Sequence, residues 1–172
     1  MERLTYDEFL SKLRSSKRAW HLELRDTYNV AAEDEPFGRY LAGEPDDYEW
    51  LIDWLNVIRS AVRDGVSVER LRVVSVPHTD YTSWGLSIAP QNIAAGEDVR
   101  YLRRDLLDGM VLPTEDCWLF DDDNLVLSVF SEDGRTGAFA QPDDAGLAAE
   151  YRTIRDALWP RSVPYERYVA GS

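Results

Sequence analysis

Apolar residues recur along this chain at two periods, and each change of period marks an element. Tyr6, Phe9, Leu10 and Leu13 follow helical spacing behind a capping-box pair, Thr5 and Glu8, which predicts a helix to about Lys17. Trp20, Leu22 and Leu24 then alternate with His21, Glu23 and Arg25, the period of two of a half-buried strand. Its polar face is expected to carry solvated cross-strand pairs, with Glu23 and Arg25 the two placed to line a cleft instead.

Residues 29–49 form a looser acidic connection in which Pro36 fits the first turn of a short helix ending near Gly43. Trp50, Leu51, Trp54, Leu55, Ile58, Ala61 and Val62 make a wide helical stripe, stopped by Gly65. Val68, Leu71, Val73, Val74 and Val76 read as a buried central strand, entered through Arg70 and Arg72 and ended by Pro77. A helix is predicted from Thr79 or Asp80, with Tyr81, Trp84 and Ile88 along one side, Gly85 permitting close packing and Pro90 ending it. The turn at Ala94, Ala95 and Gly96 leads to a strand over Val99–Leu102, so strand, helix and strand form a crossover with parallel pairing.

From Pro113 to Phe130 the pattern is strand, acidic turn, strand, with Asp121, Asp122, Asp123 and Asn124 reversing the chain. Glu132-Asp133-Gly134 turns into a third antiparallel strand, Arg135 to Gln141. Pro142-Asp143-Asp144 caps a long helix carrying Leu147, Tyr151, Ile154 and Leu158, stopped at Pro160, and a short helix over Val163–Val169 closes the chain. The expected fold is therefore α/β (α+β): one domain over residues 1–172, with a mixed sheet in which a parallel strand-helix-strand unit precedes a three-stranded antiparallel run and helices pack on the sheet.

Composition adds limits. The 172 residues are 44% hydrophobic and 30% charged, with no apolar run near the roughly 18 residues of a membrane span. The start has no basic-then-apolar leader, so a cytoplasmic location is expected. Cys117 is the single cysteine, which reads as a small buried hydrophobe. A net charge of −13 repels polyphosphate and argues against direct nucleic-acid binding, whereas it suits a basic protein partner. Trp50, Trp54 and Trp84 leave room for an apolar homo-oligomer interface.

The chemistry is sparse. Glu115, Asp116, Asp121, Asp122 and Asp123 invite a divalent cation, but an EF-hand register from Asp121 puts Leu125 and Val126 where a ligand and a glycine are needed. His21 and His78 with one cysteine do not make a zinc cluster, and no nucleophile elbow, phosphate loop or dinucleotide fingerprint occurs, so no catalytic residue, metal or cofactor is expected. What remains is a polar constellation: His78, Asp80 and Tyr81 beyond one parallel strand, Asn92, Glu97, Asp98 and Arg100 leading into the next, and Arg25 nearby. In that constellation Arg100 is the expected anchor for an anionic group and Glu97 or Asp98 the general base. The competing reading makes Asp80 a helix cap, pairs Arg100 with Glu97 or Asp98, and uses Asn92 to hold a turn.

Pro77-His-Thr-Asp-Tyr81, Asn92-Ile-Ala-Ala-Gly-Glu-Asp-Val-Arg100 and Asp116-Cys-Trp-Leu-Phe-Asp-Asp122, with Leu22 to Tyr28 and the Trp159 region, resemble an uncharacterised actinobacterial domain family often encoded near helix-turn-helix regulators. The element order is also similar to half of a phospholipase D-like domain, whose His-x-Lys motif would fall where this chain has Thr114 or Glu115 and Asp116 or Cys117, so no phosphohistidine nucleophile forms. The resemblance and the charge together imply a non-catalytic regulatory or protein-interaction domain acting with a helix-turn-helix transcriptional regulator. The alternative is a small enzyme or ligand sensor binding an anionic molecule around Asp80 and Arg100.

Overall fold

The computed structural model describes residues 1–171. Eight strands, β1 (Glu2–Leu4), β2 (Arg18–Glu23), β3 (Ser67–Val74), β4 (Asp98–Arg103), β5 (Asp116–Phe120), β6 (Asn124–Phe130), β7 (Gly137–Gln141) and β8 (Val163–Pro164), form one sheet in the order β1-β7-β6-β5-β2-β3-β4-β8. The pairs β2–β3 and β3–β4 are parallel and the rest antiparallel, as the predicted crossover and antiparallel run require. Six helices accompany them: α1 (Tyr6–Ser15), α2 (Asp34–Leu41), α3 (Ile52–Arg63), α4 (Asp80–Ala94), α5 (Ala145–Leu158) and α6 (Tyr165–Ala170).

Successive strand residues point to opposite faces, and the two faces are covered differently. Trp20 and Leu22, Leu71 and Val73, Cys117 and Leu119, Leu125 and Leu127 form an apolar layer under Ala148, Tyr151 and Leu158 of α5. On the other face Ala19, Val68, Trp118, Phe120 and Val126 meet Phe9, Leu10 and Leu13 of α1 and Ala61 of α3. Farther along that face Val74, Val99 and Tyr101 pack with Ala89 of α4 and Tyr165 and Tyr168 of α6.

Local signals explain most boundaries. Thr5 caps α1 by accepting from the Glu8 N–H at 3.2 Å while the Glu8 carboxylate accepts from the Thr5 N–H at 2.7 Å. The helix stops at Ser15, short of Lys17, because the Lys17 and Arg18 N–H groups donate to Asp121 Oδ1 at 2.9 and 3.0 Å instead. Asp121 has φ +54, and with Arg155 donating to Asp122 Oδ1 and to the Asp121 carbonyl, both at 2.7 Å, the acidic hairpin tip clasps α5 to the start of β2.

Three expectations are corrected. Pro90 lies inside α4 and does not end it. A proline there costs about 3 kcal/mol, but Ile93 packs on the core and buried Asn92 donates to Glu97 at 2.7 Å, so tertiary contacts carry the helix on to Ala94. The final helix starts later than Val163, because Val163 and Pro164 pair with Tyr101 and Arg100 as the edge strand β8. The polar face of β2 is not solvated: α1, α3 and α4 cover that side of the sheet. β1 has no counterpart among the predicted elements.

Candidate functional site

The parallel register sets His21 opposite Arg70, and Glu23 opposite Arg72 and through it Tyr101. Since Trp20, Leu22, Leu71 and Val73 occupy the α5 face, alternation forces His21, Glu23, Arg70 and Arg72 onto the other one. Helices cover that face, so the charges satisfy one another. Glu23 bridges both guanidiniums, at 2.8 Å to Arg70 Nη1 and 2.8 Å to Arg72 Nε. Arg70 Nε also donates to Glu97 at 2.7 Å, and Asn92 donates to the second Glu97 oxygen at 2.7 Å. Gly96, at φ +107 and with Val62 2.9 Å from where a Cβ would stand, makes the tight turn that delivers Glu97.

The electrostatics follow from burial and pairing. Burial pushes the Glu23 carboxyl up, but the Arg72 and Arg70 charges outweigh it and hold the group at about 2. Burial pushes the His21 imidazole down to about 3, only partly offset by Glu23, so the ring is neutral and stacks on Trp118 with centroids 4.2 Å apart. Asp116 is pushed up to about 6 by burial, against hydrogen bonds from the Tyr28 hydroxyl and, at 2.8 Å, from the Leu24 N–H. Glu33 is likewise raised by burial, and the Tyr81 hydroxyl donates to it at 2.7 Å.

These groups line two neighbouring lobes of space whose walls share Glu23, Glu33, Trp54, Arg70 and Tyr81. The larger, about 390 Å3, lies over β2, β5, β6 and β7 and is walled by Tyr28, His21, Trp118, Phe130 and Phe139. The smaller, about 190 Å3, lies under α4 between Trp50, Trp84, Asn92 and Tyr101. Gly85 leaves room there for Arg72: a Cβ would stand 2.1 Å from Arg72 Nη1, and the guanidinium would have to move. Two buried polar atoms on this wall, Tyr101 Oη and His21 Nδ1, have no hydrogen-bond partner among the described residues. Glu23 Oε2 also lacks a hydrogen bond, because Arg72 Nε approaches it outside the hydrogen-bonding angle and the contact is an ion pair only.

The residues singled out from sequence divide. Tyr81 and Asn92 line the cavity, and Glu97 stands behind its wall on Arg70. His78 is held elsewhere, between the Ser75 carbonyl at 3.0 Å and the Tyr168 hydroxyl at 2.9 Å. Asp80 is exposed at the start of α4, where Thr79 is the cap, accepting from the Thr82 N–H at 3.1 Å. Asp98 pairs with Arg100 at 2.8 Å, and Arg100 lies over the Trp159 ring at 4.2 Å, on the α5 side of the sheet. Arg25 is exposed and stacks on Phe130 at 4.5 Å. The cleft drawn around Asp80 and Arg100 is therefore not one place.

Sequence reading passed over Arg70, Arg72, Glu33, Tyr28 and Tyr101 as site residues, and weighed Asp116 only within an acidic cluster for a divalent cation. A signal existed for the arginines: alternation with Leu71 and Val73 in a strand flanked by parallel neighbours leaves charges no route to water. Glu33 and Tyr28 carried none, since they reach the cavity from an irregular segment.

Among the described residues no three His, Cys, Asp or Glu side chains group to hold a metal ion, and no helix is long and apolar enough to cross a membrane. A family model described as a domain of unknown function, DUF6879, matches residues 7–170. No curated protein matches the chain.

Proposed function

We propose that this chain, which belongs to the DUF6879 family, is a non-catalytic regulatory domain that binds a small molecule in the cavity on the polar face of its sheet. The observation that carries the reading is the cavity itself. A larger lobe of about 390 Å3 is within the size of small-molecule sites, and its aromatic walls surround a few fixed polar groups, the usual composition of such sites. The reading is non-catalytic because the carboxyls and guanidiniums of the wall are already ion-paired or hydrogen-bonded within the protein. Glu23 is held by two arginines, Glu97 by Arg70 and Asn92, and the two Asp116 oxygens by Leu24 and Tyr28. Cys117 is buried in the layer facing α5, and burial raises its thiol well above the ordinary range.

The test is a thermal-shift screen of small metabolites on the purified chain. A ligand is expected that raises Tm and perturbs tryptophan emission, through Trp54 and Trp118, and whose effect is lost in Ser128→Phe, which fills the larger lobe from β6. A screen in which every stabilising compound acts equally on Ser128→Phe overturns the reading.

The charge of −13 favours a second reading, in which the acidic surface docks a basic helix-turn-helix regulator of the kind the actinobacterial resemblance implies. Calorimetry against the neighbouring regulator at low salt tests it. Salt-sensitive binding is expected, and none at low salt refutes it.

A further inference from the structure

The cavity wall is rich in carboxyls and ring faces and, among the described residues, has no uncommitted cation. Arg70 and Arg72 are the guanidiniums that line it, and both are ion-paired within the protein, Arg70 to Glu23 and Glu97 and Arg72 to Glu23. Three carboxyls line it as well: Glu23, Glu33 and Asp116. An anion entering here meets guanidiniums whose charge is already answered, together with two further carboxyls that repel it.

Glu33 and Asp116 are placed differently from Glu23. Their hydrogen-bond donors are neutral: the Tyr81 hydroxyl for Glu33, and the Tyr28 hydroxyl and Leu24 N–H for Asp116. Both hydroxyls belong to rings that themselves pack together, with centroids 5.5 Å apart, and both carboxyls and both rings line the larger lobe, where Arg72 already lies over the Tyr81 ring at 5.8 Å. An ammonium group is attracted both by carboxylates and by the faces of aromatic rings.

Resting on the reading of the cavity as a binding site, we propose that its ligand is an organic cation: an ammonium group carried on a ring or other apolar body, held by Glu33 and Asp116 with the Tyr28 and Tyr81 rings. The apolar body lies between Trp118, Phe130 and Phe139 in the larger lobe. His21 Nδ1, a buried polar atom of the larger lobe's wall without a hydrogen-bond partner among the described residues, takes a polar substituent of that body. The raised pKa values of Glu33 and Asp116 agree with this geometry, since burial outweighs the lowering effect of Arg72 and Arg70 on Glu33 and of Arg25 on Asp116, and an arriving ammonium adds a directly paired cation. The overall charge of −13 concentrates cations near the protein before they enter.

Three congeners on one phenyl body separate the possibilities: phenethylamine, 2-phenylethanol and 3-phenylpropionate, titrated into the wild-type chain by calorimetry near neutral pH and mapped by backbone amide NMR shifts. The amine is expected to bind at least about tenfold tighter than the alcohol, with the propionate weakest. Glu33→Gln and Asp116→Asn should each remove most of that advantage while leaving the alcohol unchanged. An alcohol that binds as tightly as the amine, or a propionate that binds best, overturns the cationic class and leaves the binding reading standing. No binding of any congener at millimolar concentration overturns both. The ranking on wild-type protein holds or fails whether or not a variant folds.

Discussion

The two faces of the central strands are built from alternate residues of the same segments, yet they are different materials. On the α5 side Trp20, Leu22, Leu71 and Leu119 are completely buried hydrophobes, closed by one long helix. One residue along each strand, His21, Glu23, Arg70 and Arg72 face α1, α3 and α4, and an aromatic cavity remains among those helices. An apolar layer needs only shape to be stable, whereas a charged layer needs every partner in place. The first kind of surface makes a scaffold, and the second makes a site that is costly to disturb.

Breaking the polar face at its centre should have the largest effect. Glu23→Ala leaves Arg70 and Arg72 buried without their shared counter-ion, and a loss of about 3–5 kcal/mol is expected by urea denaturation. The matched change on the apolar face, Leu71→Ala, should cost about 2–5 kcal/mol and leave the cavity lining intact, so ligand affinity should be unchanged in the folded fraction. If Glu23→Ala proves harmless, the face is not held by its charges.

Acidity distinguishes the faces next, because the polar one holds the buried groups whose pKa values are shifted in the acid range. The lowered Glu23 value gives stability that is present above its ordinary value near 4.5 and is lost as pH falls toward about 2. His21, held neutral to about 3, likewise contributes stability present above its ordinary 6.5 and lost on acidification. Asp116 acts in the opposite sense: with its folded value raised to about 6, the folded state keeps a proton the unfolded chain has released, so its contribution falls as pH rises from 3.8 through 6. Asp116→Asn should therefore steepen the loss of stability between about pH 6.5 and 4, by on the order of 1–3 kcal/mol across the window, read from denaturation at each pH. An unchanged slope would refute the buried-acid description of Asp116.

The smallest effects belong to the rim of the sheet. Asp121→Ala removes the acceptor of two backbone N–H groups at the start of β2 and should cost about 1–2 kcal/mol. Asp122→Ala, which breaks an ion pair whose carboxylate is 65% exposed, should cost less than about 1 kcal/mol and become undetectable in high salt. Neither should alter ligand binding, since the hairpin tip clasps elements together and lies outside the cavity lining.

Much of this architecture was legible in the chain. The alternation at Trp20, Leu22 and Leu24, the stripe from Trp50 to Val62, and the acidic reversal after Phe120 each named an element, because amphipathic period and turn chemistry are local. β1 and β8 were not, for strands of three and two residues are too short to show a period. Pro90 misled because a local penalty was outweighed by distant packing.

The site was legible only in fragments. By itself the sequence determined that β2 carries one apolar and one polar face, that β3 is a buried central strand, and that the chain is acidic. Which face would be covered, and by what, was decided only in the folded chain. Three helices and the segment from Tyr28 to Glu33 close over the charged side, and that closure turns an ordinary alternating strand into a buried charge network. Burial is a property of neighbours distant in sequence, and burial is what sets the pKa values, forces Glu23 onto two arginines and encloses the space beside them.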